Sequence, residues 1–118
     1  MKRLIGVALA AIIGVQSAHA LERDPVTGIP VIGLKMCEEQ KTLAIHAMTM
    51  RQAEFTKGHA QRNMPSGRLS QAILDLMYRS EVGSTKEHQI DLIIEAGDTV
   101  HAACIKAAKQ TDMKMNGV

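Results

Sequence analysis

The sequence predicts an all-α domain in which two long antiparallel helices are joined by a disulfide, with a shorter crossing helix between them. Three observations carry that reading: apolar residues recur at helical spacing in three stretches, Pro and Gly cluster between those stretches, and the chain holds only two cysteines, Cys37 and Cys104. At 118 residues, one domain is the most the chain accommodates.

The opening segment, "MKRLIGVALAAIIGVQSAHA", has Lys2 and Arg3, then twelve apolar or Gly residues from Leu4 to Val15, then Ala18-His19-Ala20. A basic start, a short apolar stretch and small residues before the cut are the features of a secretory signal, so residues 1–20 are read as cleaved, with Leu21 at the mature end. Twelve apolar residues fall short of the roughly 20 that span a bilayer, and no later segment is longer, so no transmembrane segment is expected after signal removal. The expected location is the periplasm or the extracellular medium.

Residues 21–34, "LERDPVTGIPVIGL", carry Pro25, Gly28, Pro30 and Gly33 and read as an irregular arm. Its apolar later half, Ile29 to Leu34, is expected to lie against the helices. Residues 35–109 form the helical domain. From Lys35 to Lys57, Cys37, Leu43, Ala44, Ala47, Met48, Met50 and Phe55 fall in an arc of roughly 160° around a helix axis, and Gly58 is read as its stop. A second helix over Ser66–Ser80 is indicated by Leu69, Ile73, Leu76 and Met77. Ser84-Thr85-Lys86-Glu87 reads as a capping box opening the third, whose Ile90, Ile93, Ile94, Gly97, Val100, Cys104, Ile105 and Ala108 span roughly 140°. Residues 110–118 show no periodicity and are read as a flexible tail.

An even pair of cysteines in an exported chain is most simply a disulfide. Cys37 near a helix start suits a reactive thiol, but Glu38 and Glu39 oppose thiolate formation, and zinc-ligand spacing is absent from the sequence. Joining Cys37, at the start of one long helix, to Cys104, near the end of the other, requires the two to lie antiparallel, because bridged Cα atoms stand within about 7 Å. Partner numbers then sum to about 141, which sets Ala44 against Gly97 and Gln40 near His101. Gln40, Arg51 and His101 lie inside apolar arcs and are read as buried polar groups: a Gln40–His101 hydrogen bond and an Arg51 pair with Glu87 or Asp91 are expected.

Cys37 followed by "EEQKTLAIHAMTMRQ", then "ILDLMYRS", then "IDLIIEAGDTVHAACIKAAK" resembles a set of small exported two-cysteine helical proteins of proteobacteria and their phages. The shared pattern is C-x-x-Q-x-x-L-A, then apolar-x-x-R-Q ending at Arg51-Gln52, a helix containing Tyr78 and a closing cysteine. The resemblance implies the fold and the compartment and assigns no activity. The stretch "AEFTKGHAQRNMPSGR" is longer and more basic than that set leads one to expect.

Lys2 and Arg3 account for the whole formal charge of +2, leaving 12 basic and 12 acidic side chains after residue 20. Neither a basic surface nor a base-stacking one is indicated, with one Phe and one Tyr in the chain, so nucleic acid is not expected as a partner. No Ser-His-Asp, paired-carboxylate or phosphate-loop arrangement is visible, and neither enzymatic activity, cofactor nor metal is expected. The leading expectation is a non-enzymatic envelope protein that binds or modulates another envelope protein, with Lys57, His59, Arg62 and Arg68 as a candidate contact surface. The alternatives are a periplasmic acid-stress chaperone, through protonation of His46, His59, His88 and His101, and a Cu(I) binder using His46, Met48, Met50, Met113 and Met115.

Overall fold

The computed structural model describes residues 22–115. The signal assigned to residues 1–20, its cleavage at Leu21 and the last three residues of the tail lie outside the described residues. Among the described residues four helices follow in order: α1 Val31–Gln52, α2 Lys57–Arg62, α3 Arg68–Met77 and α4 Lys86–Met115. Among the described residues the extended structure is a single isolated bridge between Arg23 and Pro30.

The arm is shorter than expected, because Pro30 caps α1 instead of blocking it. Proline brings no N–H that a first turn must satisfy, and its carbonyl accepts from the Gly33 and Leu34 amides. The Val31 amide finds the Glu22 carbonyl at 2.7 Å. Gly33 is tolerated inside the helix at a cost of about 1 kcal/mol. Ahead of it, the Asp24 carboxylate accepts from the Val26 and Thr27 amides, and Gly28 takes a positive φ to close the turn. Ile29 is fully buried beneath this turn, and Arg23 pairs with Asp112 near the end of α4.

α1 ends at Gln52, five residues before the expected Lys57. Its close is a Schellman motif: the Phe55 amide donates to the Met50 carbonyl and the Glu54 amide to the Arg51 carbonyl, with Glu54 at φ 63. The segment expected as a loop instead supplies α2, capped by the Thr56 hydroxyl accepting from the His59 amide at 3.1 Å. Two short helices therefore connect the long ones where a single crossing helix was expected. At α4 the cap is Thr85, whose hydroxyl accepts from the His88 amide; the expected capping box from Ser84 does not form. α4 runs on to Met115, so residues 110–115 of the expected flexible tail are helical.

Both α3 and α4 pack on α1. The core consists mainly of Ala44, Ala47, Met48, Met50, Ala60, Met64, Ile73, Leu74, Met77, Ala96 and Val100. With so few aromatics, methionine fills the irregular space between short and long helices. Leu69, Leu76, Ile90 and Ile94, expected in the core, are exposed, while Leu74 and Ala96 are buried.

Cys37 and Cys104 stand at disulfide distance with Cα atoms 5.4 Å apart. Further pairs between the two long helices, Glu38 with His101 and Lys41 with Asp98, descend along α4 as they ascend along α1. A Cβ on Gly97 would come within 2.8 Å of Ile45 Cγ1 and 3.4 Å of Lys41 Cγ, so the glycine lets α4 approach these two side chains of α1 closely.

Candidate functional site

Only one Phe and one Tyr occur in the chain, and the fold brings them to one corner, where α1 ends, α2 begins and α3 ends. The left-handed Glu54 turns Phe55 outward, leaving it 46% exposed. A non-glycine residue at this φ costs on the order of 1 kcal/mol, and such strain persists only where neighbours enforce it. Tyr78 is one such neighbour: its hydroxyl donates to the Phe55 carbonyl at 2.8 Å. His59 lies edge-on to Phe55, ring centroids 4.7 Å apart.

Arg51 completes the cluster. Its guanidinium carbon lies 5.5 Å from the Tyr78 ring centroid, within cation–π range, while Nε donates to the Ser80 carbonyl at 2.9 Å. The expected carboxylate pair with Glu87 or Asp91 is thus replaced by an aromatic face and a backbone carbonyl. Arg51 occupies the last turn of α1, beside the chain leaving α3, and there the Ser80 carbonyl accepts from it. Burial pushes the Tyr78 phenol above its ordinary value, and the Arg51 charge pulls part of the way back.

Of the expected contact residues, Lys57 and His59 belong to this corner. Lys57 pairs with Asp75 at 2.7 Å, joining α2 to α3. Arg62 and Arg68 are exposed on the next turn and the next helix. Gln40, Arg51 and His101 are half-buried, and the expected Gln40–His101 hydrogen bond is replaced: His101 Nε2 lies 2.9 Å from Glu38 Oε2, an ion-pair distance, although the angle is not that of a hydrogen bond. Among the described residues the buried polar side chains are Gln52 and Ser70 instead. Gln52 stands behind the corner, donating to the Glu81 carbonyl and accepting from the Gly83 amide. Its signal in the sequence was the Arg51-Gln52 pair, each member of which holds the chain between α3 and α4.

Met48 and Met50 are buried in the core, while His46 is exposed with Nε2 3.3 Å from the Asn63 carbonyl oxygen, so these three do not converge. Among the described residues no three His, Cys, Asp or Glu side chains are grouped as metal ligands, and no helix is long and apolar enough to cross a membrane. An open groove of about 240 Å³ runs between α3 and α4, lined by Met48, Leu76, Met77, Leu92, Ala96 and Val100 among others. No family model, curated protein or solved structure matches the chain.

Proposed function

We propose that the chain is an exported, non-enzymatic envelope protein that binds another protein through the Phe55–His59–Tyr78–Arg51 corner. In this reading the signal of residues 1–20 directs export to the periplasm or beyond, and the disulfide forms there. It holds α1 and α4 antiparallel as a rigid scaffold for the short helices. The observation that carries the reading is the half-exposed Phe55 on a strained Glu54 backbone, fastened by Tyr78. Aromatic and arginine side chains fixed in place lose little entropy on binding and dominate the energetics of protein interfaces. Lys57 is held by Asp75, so the corner offers a partner a fixed aromatic anchor rather than a net charge.

The test is site-specific photo-crosslinking from position 57 of the oxidised protein in envelope extract, in wild type and in Phe55→Ala. One discrete adduct that Phe55→Ala reduces at least tenfold, with helicity unchanged, is the expected result. An adduct indifferent to Phe55→Ala, or none, overturns the reading.

A further inference from the structure

Methionine has two settings in this fold. Met48, Met50, Met64 and Met77 belong to the core and are 6% exposed or less, filling space between helices of unequal length. Met36 and Met113 are 54% and 50% exposed. Met36 lies about two turns before Ala44 on α1, and Met113 more than about three turns beyond Val100 on α4, so both stand on the part of the long pair past the main core cluster. A helical methionine leans over the turn before it; for Met36 that turn carries exposed Ile32, and for Met113 exposed Lys109. Packing accounts for the four inner thioethers and not for these two.

We propose that Met36 and Met113 are oxidation sites, sacrificial thioethers that consume two-electron oxidants of the hypohalous-acid class before these reach the core. In the step with hypochlorous acid an S–O bond forms as the O–Cl bond breaks. The thioether is oxidised by two electrons to the sulfoxide, chlorine leaves as chloride and the acid's proton is released. Thiols compete best for such oxidants, and with Cys37 and Cys104 bridged none is free. Protection matters because Met48 and Met77 line the open groove between α3 and α4, where an oxidant in excess arrives next. The Met48 sulfur also accepts from Gln52 Nε2 at 3.3 Å. A sulfoxide there sets a polar oxygen into close-packed surroundings and disturbs the amide that holds the Glu81 carbonyl and the Gly83 N–H. At Met36 and Met113 the added oxygen meets water, so the fold is kept and the sulfoxides stay open to methionine sulfoxide reductases. Neither methionine belongs to the aromatic corner, so the two roles stand apart.

The test is addition of hypochlorous acid, up to about two equivalents per chain, to the disulfide-bonded protein, with sulfoxide located at each methionine by peptide mass spectrometry and the fold followed by circular dichroism. Sulfoxide at Met36 and at Met113 is expected to exceed that at each of Met48, Met50, Met64 and Met77 by about tenfold or more, with helicity and Tm unchanged. In the paired variant Met36→Leu with Met113→Leu, which alters only exposed positions, the same dose is expected to raise sulfoxide in the four core methionines about threefold or more and to lower Tm. Core methionines oxidised alongside the exposed two overturn the proposal. So does a paired variant whose core is no more oxidised than wild type, or helicity lost at a dose that has oxidised Met36 and Met113 alone.

Discussion

Gln52 Oε1 accepts a hydrogen bond from the Gly83 amide at 2.7 Å, so the last residue of α1 holds the turn from which α4 starts. The same amide group donates through Nε2 to the Glu81 carbonyl at 2.9 Å, and the side chain is 5% exposed. Removing it leaves the buried Gly83 amide and the part-buried Glu81 carbonyl without this partner. Gln52→Ala is expected to lower unfolding free energy by about 2–4 kcal/mol. Urea titration reads this directly; a loss under about 1 kcal/mol means that water takes over both bonds.

Two glycines in tight places differ in what surrounds them. A Cβ on Gly83 would lie 2.8 Å from the Gln89 backbone nitrogen and 3.0 Å from the His88 carbonyl carbon, neither of which can move without shifting the first turn of α4. Gly83→Ala is therefore expected to cost about 3 kcal/mol or more. A Cβ on Gly97 meets the Ile45 side chain instead, which can turn, and alanine brings about 1 kcal/mol of helix propensity. Gly97→Ala is expected to cost no more than about 1 kcal/mol net. Thermal unfolding of the two variants side by side checks the order.

Glu54 occupies the position of a Schellman motif that usually holds glycine. Glu54→Gly relieves a left-handed backbone and adds entropy to the unfolded chain, and the first effect is the larger. A gain of about 0.5–1 kcal/mol is expected, a few degrees in Tm for a domain of this size. If the strain serves to present Phe55, the same variant weakens the crosslink from position 57 while raising Tm. A variant that lowers Tm shows that Glu54 has a stabilising contact outweighing its backbone cost.

The bridge between Cys37 and Cys104 closes a loop of 67 residues' separation. Such a loop restricts the unfolded chain enough to contribute about 4 kcal/mol. Reduction, or the paired change Cys37→Ala with Cys104→Ala, is expected to lower the urea midpoint accordingly. Both sulfurs pack at the contact of the two long helices, so the ends distal to the short helices, including the Arg23–Asp112 pair, are expected to lose hydrogen-exchange protection first. Uniform loss along α1 and α4 is the contrary outcome.

The cysteine pair and the antiparallel run of the two long helices were legible because covalent geometry is strict; the pairing along them was less so, since His101 lies beside Glu38 where Gln40 was expected. Helix existence was legible from periodicity; helix ends were not. Pro30 and Gly33 look like breakers when each is read alone, yet a proline just before the first turn starts a helix, and one interior glycine is affordable inside 22 residues. The close of α1 was hidden because Glu54 is not a residue that announces a left-handed cap. From that single misplaced end followed the missing α2 and the wrong partner for Arg51. Ile90 and Ile94 reveal a different limit: periodicity reports that a face is apolar, and says nothing about which layer covers it.

Tyr78 ties the corner to pH. Its ordinary pKa is about 10, and in the folded chain burial raises it, offset in part by Arg51. Above about pH 10 the unfolded chain therefore releases this proton while the folded chain still holds it, so stability is complete below that pH and is lost as pH rises through the folded value. With one tyrosine in the chain, tyrosinate absorbance gives its titration without overlap, and a midpoint above about 10 is expected. Tyr78→Phe also removes the bond to the Phe55 carbonyl, which is expected to lower stability at neutral pH by about 1 kcal/mol. If the phenol is the group responsible, the variant loses less further stability than wild type between neutral and alkaline pH, and the two unfolding curves converge. Parallel curves show that Tyr78 does not carry the alkaline loss and leave it a structural strut alone.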